Sequence, residues 1–474
     1  MSEPLPGPGA RASAGSGGEP AHTNPLIRLR TGMGLSQPEY AKLIARTHGA
    51  LALGQLAARR ELVARWESGR AIPVHTVQLA MAHVHDVPAR DVHRLGWPHW
   101  LHLAGGGAAP LDRPYTDHGA VLALRAAVHP PGGAGSPGLS LRGRALADQL
   151  GEALRGLAEA GRPDGGSPPE APPQGREAPL RWIEARTSAL EQHERGTLLP
   201  PAVLYGAAEA EHRLVVDHLL AGSGGGPPAP PRLFPLAART ALLCTWLSSA
   251  VGEETRAERH NLAALRAAVA SGRRTAVATV LAQLATRHLL AGDAADARTV
   301  VRAARAADPR PEPVVAALLQ TREALALARL GRPAEAARAL DHAADALASS
   351  DGRHRPGFPF AVDGRHLAVA RAESHLLAGA PDRAEPHLAA LLDELDGPEP
   401  VPAPPLAGRM LLLAVDTYLA LGRADQAARA THCAVTLTGT LPPGLARQYH
   451  RRLAAHQHAP VIRGALECLA DAGP

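Results

Sequence analysis

The chain is patterned for helices along most of its length. Apolar residues recur every three or four positions from Asn24 to about Ala104, over Leu139–Arg162 and from Leu180 onward. This spacing is typical of helices that bury one face. No segment alternates apolar and polar residues as a half-buried strand would. The pattern therefore predicts an all-α protein.

Stretches rich in glycine, proline and serine separate the helical segments. Such stretches bury too little apolar surface to offset the entropy lost on ordering the chain. The resulting division is a disordered tail over 1–23, a helical domain over 24–104, a linker with one helix over 105–179, a helical segment over 180–221, a linker over 222–232 and a repeat domain over 233–474.

The C-terminal half contains a repeated pair of small residues, a glycine and, five positions later, an alanine. Glycine in a left-handed conformation commonly ends a helix, and alanine allows two helices to approach closely. Because one hairpin cannot bury its own apolar face, the repetition predicts hairpins stacked into a solenoid. A bundle of alanine-rich hairpins without regular stacking is the alternative. The pairs are Gly252/Ala257, Gly292/Ala297, Gly331/Ala336, Gly379/Ala384 and Gly422/Ala427.

These units resemble tetratricopeptide repeats. In the second unit, Ala297 is followed by Val301, Ala304 and Pro309 at the offsets of that family. The intervals between units, 39 to 48 residues, exceed the 34 residues of that repeat. The resemblance covers about residues 233–440 and implies a tetratricopeptide-like α-solenoid.

The positive charge of the chain is concentrated near its N-terminus. The net charge is +5, and residues 24–103 alone contain ten basic and five acidic side chains. A basic module on a neutral body is typical of a domain that binds a polyanion. Nearly all basic residues are arginine, with Lys42 as the lone lysine, which indicates a GC-rich coding bias.

The basic segment also contains residues that typically begin and end the helices of a short bundle. Ser36 and Glu39 have the spacing of a capping box that begins a helix. A second helix is expected over about Arg59–Ser68, and Trp97 and Trp100 are expected to complete the domain's core.

The string GLSQPEYAKL…VARWESGRAIP resembles the helix-turn-helix of the XRE/phage-repressor family. That resemblance implies a first motif helix over Ser36–Ala45 and a recognition helix over Arg59–Glu67 that enters the major groove. The predicted fold is therefore all-α, with a small helix-turn-helix bundle followed by a tetratricopeptide-like α-solenoid.

The resemblance also assigns roles to individual side chains. Arg60 and Glu61 would contact bases, since arginine suits guanine and glutamate can accept from cytosine. Arg59 and Arg65 would contact phosphates or an adjacent base. Gln37, together with the N-terminus of its helix, would hold a phosphate.

Two further features concern the geometry of this motif. The family pairs an arginine with the glutamate of Trp-Glu, which here implies a partly buried ion pair between Arg30 and Glu67. The interval between Ser36 and that glutamate is longer than in the family, and the excess is Thr47–Ala58. This insert could lengthen the first motif helix or form a loop.

No pattern in the sequence supports an enzyme or a metal protein. Cys244, Cys433 and Cys468 lie far apart, which argues against both a disulfide framework and a zinc module. No nucleophile or phosphate-loop motif is present. We therefore expect no catalytic residue, no cofactor and no metal site, and we expect the two earlier cysteines to be small core residues.

The sequence thus predicts a DNA-binding transcriptional regulator of the cytoplasm and nucleoid. Its partners would be double-stranded DNA, a second copy of the chain and, on the repeat domain, possible peptide or small-molecule effectors. No apolar stretch reaches the ~18 residues of a membrane span, so no membrane partner is expected. The alternative is a repeat scaffold that mediates protein–protein interactions without binding DNA.

Overall fold

The computed structural model of the chain is all-α, as predicted. Within the residues that it describes there are twenty α-helices and no strand. The expected tail over 1–23 and linker over 222–232 lie outside these residues. The described residues are 25–85, 113–129, 141–161, 177–194, 201–219, 233–349, 362–395, 407–438 and 443–471, with isolated positions between 87 and 104 and at 441.

The chain divides into two compact units, Met1–Asp86 and Val87–Pro474. The first unit therefore ends earlier than the boundary at 104 that the sequence indicated. Trp100 is fully buried and contacts Trp97 edge-on at 6.1 Å between ring centroids, but both belong to the second unit. The expectation that these tryptophans complete the first core was wrong, because the chain joins the larger body after Asp86.

Four helices form the described part of the first unit. Helix α2 packs against α3 and α4, and α1 packs against α3. Their apolar faces meet in a small core in which Tyr40, Ile44, Val63 and Met81 are fully buried. The helices are α1 (Pro25–Gly32), α2 (Gln37–Ala50), α3 (Arg60–Glu67) and α4 (His75–Val84).

Four helices precede the repeats. Two of them, α5 and α6, pack against the second helix of the first repeat hairpin, so this segment belongs to the repeat body. The sequence predicted only one helix over 105–179. It missed α5, which begins where the Thr116 hydroxyl accepts a hydrogen bond from Gly119 N–H at 3.1 Å. The helices are α5 (Asp117–Val128), α6 (Gly143–Ala160), α7 (Glu177–Glu194) and α8 (Pro201–Leu214), the last followed by a π-helical turn (Val215–Leu219).

Twelve helices then form six hairpins. Within each hairpin the two helices pack together, and the first helices of successive hairpins also contact one another. This stacking is that of a solenoid. The hairpins are α9 (Leu233–Ala250) with α10 (Glu254–Ala270), α11 (Arg274–Leu290) with α12 (Ala294–Ala307), α13 (Pro313–Arg329) with α14 (Pro333–Ala348), α15 (Gly364–Leu377) with α16 (Pro381–Leu395), α17 (Ala407–Ala420) with α18 (Ala424–Thr438), and α19 (Pro443–Ala454) with α20 (Pro460–Asp471).

The glycine–alanine pairs lie at the hairpin turns, as predicted. Gly331 has a φ of 72°, its N–H donates to Ala328 O at 3.0 Å, and the next N–H donates to Leu327 O at 2.9 Å. These two bonds satisfy carbonyl groups that the helix end would otherwise leave free. Ala336 is fully buried, and so are the alanines of the other four pairs. The small side chains are therefore where the two helices meet.

Two further expectations concern side chains and membranes. Cys244 and Cys433 are buried in repeat helices, which confirms their prediction as core residues. None of the described helices combines the length and the apolar character needed to cross a bilayer.

Candidate nucleic-acid interface

Helix α3 has one face in the core of the first unit and one face toward solvent. Val63, Trp66 and Glu67 are buried, and they anchor the helix on its inner side. Arg60 is the first residue of the helix and Arg59 is its N-cap, so the helix starts one residue later than the sequence indicated. Four of the five residues predicted to contact DNA lie on this helix or at its N-cap, and all four are exposed: Arg59, Arg60, Glu61 and Arg65.

These four charged side chains have no partner within the described part of the chain. None of them makes a side-chain hydrogen bond or ion pair there. Glu61 and Arg65 are four residues apart and so lie on the same side of the helix. The solvent face of α3 therefore carries three guanidinium groups and one carboxylate that are available to a ligand.

A buried ion pair fixes α3 relative to α1. Arg30 donates from Nε to Glu67 Oε1 at 2.6 Å, and from Nη1 to the carbonyl oxygen of Leu35 at 2.6 Å. The Arg30 and Glu67 side chains are only 12% and 6% exposed. The expected ion pair is thus formed, and it also holds the turn that leads into α2.

Gln37 extends this network to α2. Its Nε2 donates to the second oxygen of Glu67, Oε2, at 2.6 Å. Both oxygens of the carboxylate are therefore engaged, one by α1 and one by α2. A side-chain amide has two N–H groups, so one of them remains for another acceptor. The sequence assigned Gln37 to a phosphate, but it did not reveal the bond to Glu67.

The N-terminus of α2 is capped as the sequence indicated. The Glu39 carboxylate accepts from the Ser36 N–H at 2.8 Å and from the Ser36 hydroxyl at 2.6 Å. These two hydrogen bonds lower the pKa of Glu39, because they stabilise its ionised form. The capping box fixes the direction in which the chain enters α2.

A buried tyrosine connects α2 to the end of α4. The Tyr40 hydroxyl lies 2.8 Å from Nε2 of His85, and the two rings stack at 5.9 Å between centroids. Burial raises the pKa of Tyr40 well above its usual value. The phenol therefore stays neutral and serves as a fixed hydrogen-bonding group between the two helices.

The insert between the two motif helices contributes to both a helix and a loop. Its first residues complete the last turns of α2, which ends at Ala50. The rest forms a loop in which Ala52 and Gly54 have φ values of 53° and 109°. His48 Nδ1 lies 3.0 Å from the Gly54 carbonyl oxygen, so the buried imidazole ties this loop to the end of α2.

Other exposed basic side chains lie in the same unit but were not singled out from the sequence. Lys42 and Arg46 are on α2, and Arg70 follows α3. The local excess of positive charge was the signal that could have identified them. Among the described residues, no three histidine, cysteine, aspartate or glutamate side chains come close enough together to hold a metal ion.

Comparisons with known proteins do not assign this chain to a family. No protein-family model and no curated protein matches the sequence.

Proposed function

We propose that this protein is a sequence-specific DNA-binding transcriptional regulator. The observation that supports this proposal is the solvent face of α3, where four charged side chains have no partner within the described part of the chain. The opposite face of the same helix is anchored in the core by Val63, Trp66 and Glu67. A rigid short helix that presents arginines is the usual means of contacting base edges in the major groove.

Within this proposal, the first turn of α3 contacts bases. Arg60 donates to the acceptors of guanine and Glu61 accepts from cytosine. Arg59 and Arg65 contact the phosphates or an adjacent base, which fixes the position of the helix on the duplex. Gln37 adds its remaining amide N–H at the start of α2, where the backbone N–H groups favour an anion.

The buried network gives these contacts a fixed frame. Glu67 accepts from Arg30 and Gln37, so α1, α2 and α3 are joined at one carboxylate. A phosphate bound at Gln37 would therefore be connected to the recognition helix through a single residue. Preorganisation of this kind lowers the entropy lost on binding.

The repeat domain supplies dimerisation, effector binding or both in this proposal. A single small module buries little DNA surface, so a dimer on a two-part operator is expected. An effector that favours one arrangement of the repeats would then change the spacing of the two DNA-binding units and hence the affinity for DNA.

The test is an electrophoretic mobility shift with the DNA upstream of the protein's own gene, with sites then mapped genome-wide by crosslinking. We expect binding that weakens steeply as salt rises, because phosphate contacts release counterions. Arg60→Ala should weaken specific binding by about 1–3 kcal/mol, the value of a bidentate base contact. Arg447→Ala, an exposed arginine on α19, is the matched control and should leave binding unchanged.

Two results would contradict the proposal that this protein is a DNA-binding regulator. One is the absence of any specific site in the crosslinking map, and the other is DNA binding that Arg60→Ala leaves unaltered. Either result would favour the protein-binding scaffold, which needs the repeats but not the arginines of α3.

A further inference from the structure

A cavity of about 970 Å³ lies in the repeat body. Its walls are α7, α9 and the beginnings of α11 and α13. Helices α9, α11 and α13 are the first helices of three successive hairpins, and they contact one another in order. Ligand sites for small molecules span about 300–1,000 Å³, so this cavity is large enough for one.

The floor of the cavity is apolar. Leu236, Leu242, Val280 and Val315 line it, and each is at most 4% exposed. These side chains come from three different helices, so the floor crosses the junctions between them. An apolar ligand group that covers this floor would be removed from water, which favours binding.

The remaining lining contains more basic than acidic side chains, and the Glu191 carboxylate balances the charge of one of them, Arg239. Four arginines line the cavity against two glutamates, Glu184 and Glu312. Among these four, Arg239 is the least exposed, at 12%. It donates from Nε to Glu191 Oε1 at 2.7 Å and from Nη2 to the Ser188 hydroxyl at 2.9 Å. The other arginines are Arg181, Arg273 and Arg274.

Arg239 is held with one edge of its guanidinium open. Nε and Nη2 both donate to the Glu191 carboxylate, which fixes the plane of the group. Within the described residues, Nη1 has no acceptor. The cavity wall therefore offers hydrogen-bond donors whose orientation is set before any ligand arrives.

A second set of donors lies at the start of α11. Arg273 and Arg274 are exposed there, and neither forms an ion pair within the described part of the chain. Arg273 is the N-cap of α11, and its side chain does not cap the helix. The first backbone N–H groups of α11 add a partial positive charge at the same end of the helix.

We propose that this cavity binds a small amphipathic organic anion, with one carboxylate or sulfonate group and an apolar body. The anionic group is held by Arg273, Arg274 and the N-terminus of α11, with Arg239 donating from the wall. The apolar body lies on the floor formed by Leu236, Leu242, Val280 and Val315. A neutral ligand would give Arg273 and Arg274 no counter-charge, and a ligand rich in phosphate would place charged groups against the apolar floor.

Such a ligand would be the effector of the regulator proposed above, and this regulatory meaning rests on the proposed function. The binding itself does not. The cavity contacts three hairpins at once, so a bound molecule would favour one stacking of the first helices over others.

The test uses the full chain and 1-anilinonaphthalene-8-sulfonate, a fluorescent molecule with one sulfonate and an apolar body. We expect saturable binding of one probe per chain and displacement by octanoate but not by octanamide, its neutral counterpart. Arg273→Gln with Arg274→Gln should weaken probe binding at least tenfold. The matched control is Arg447→Gln with Arg451→Gln, which removes two exposed arginines from α19.

A second variant tests the site without removing charge. Ala276 lines the cavity and is only partly buried, so Ala276→Phe should fill the space without disrupting the core. It should abolish probe binding while the far-ultraviolet circular dichroism stays unchanged. The proposal is overturned if the paired Arg273/Arg274 variant binds the probe as tightly as the original chain, or if octanamide competes as well as octanoate.

These outcomes are separate from those of the DNA experiment, because the probe is titrated without DNA. If the chain binds the probe but no specific DNA site, the proposed DNA-binding function is wrong and the proposed anion site in the cavity is supported. A chain that binds its operator but not the probe would refute the cavity site alone.

Discussion

The carboxylate of Glu67 accepts hydrogen bonds from the side chains of Arg30 and Gln37. The Glu67 side chain is only 6% exposed. Glu67→Ala would leave the Arg30 guanidinium buried without its counter-charge. Breaking a buried pair in this way costs about 3–5 kcal/mol, and the residual exposure of Arg30 places the expected cost near the lower end. Hydrogen exchange measured by mass spectrometry over residues 25–85 should show faster exchange throughout α1–α3.

Glu61 provides the matched control for that change, since it lies on the same helix and is exposed. Glu61→Ala should leave hydrogen exchange unaltered and should change the affinity for DNA. Equal exchange rates in the Glu67→Ala chain and the original chain would show that the carboxylate does not hold the unit together.

Two histidines buried in the repeat body should make its stability depend on pH. The rings of His212 and His260 meet edge-on at 5.4 Å between centroids, and both are fully buried. Burial lowers the pKa of His260 to about 3, and it lowers that of His212 well below the usual value. The unfolded chain titrates near 6.5, so below that pH it takes up protons that the folded chain does not. Stability should therefore fall as pH decreases from about 6.5 toward 3.

The expected size of this effect is about 1.4 kcal/mol per pH unit for each such histidine. Urea unfolding at pH 7.5 and at pH 5.0 measures it. His260→Leu should reduce the loss of stability between the two pH values, whereas His450→Leu, which changes an exposed histidine on α19, should not. An equal loss in the His260→Leu chain would show that another group causes the acid sensitivity.

At the scale of helices, the hairpin turns depend on the backbone freedom of glycine. Gly331 has a φ of 72°, and a Cβ added there would meet no atom within 4 Å. Gly331→Ala should therefore cost about 1 kcal/mol through backbone strain alone. Gly151, inside α6, also has open space around its Cα but an ordinary helical φ. Gly151→Ala should stabilise the chain by about 0.5–1 kcal/mol, so urea denaturation of the two variants should show opposite signs.

The sequence predicted those helices whose ends carry a distinctive residue. The five glycine–alanine pairs located five hairpin turns, because both residues are required by the local geometry. The sixth hairpin, α19 with α20, has no such pair at its turn and was not identified as a unit. Helix α5 was missed because glycine and proline around it obscured its cap at Thr116, although Ala120, Leu124 and Ala127 have helical spacing.

The sequence specified the residues of the candidate interface, but it did not specify all the hydrogen bonds between them. A resemblance to a helix-turn-helix specified Arg30, Glu67 and the charged positions of α3. The hydrogen bond from Gln37 to Glu67 joins residues thirty positions apart, and no local pattern encodes it. The same limit applies to the cavity, whose lining comes from four helices and is brought together only by the stacking of hairpins.

At the scale of the whole molecule, each compact unit has its own core. The first unit centres on Tyr40, Ile44 and Met81, and the second contains the stacked hairpins. Calorimetry of the full chain should therefore show separate transitions, since cooperative unfolding follows the core that is lost. Glu67→Ala should lower only the first unit's transition, and Gly331→Ala only that of the second. A single transition displaced by both changes would contradict this independence.

Ligands should act on the same two transitions selectively, because a ligand stabilises only the state that binds it. DNA carrying the operator at one hundred times its dissociation constant should stabilise the first unit by about 2.7 kcal/mol and the repeats by less. The organic anion should shift the transition of the second unit instead. If DNA shifts neither transition while a protein partner shifts that of the repeats, the chain is the scaffold and not the regulator. The size of the smaller shift that operator DNA causes in the second transition measures the coupling between DNA binding and the repeats, and an effector acts through that same coupling.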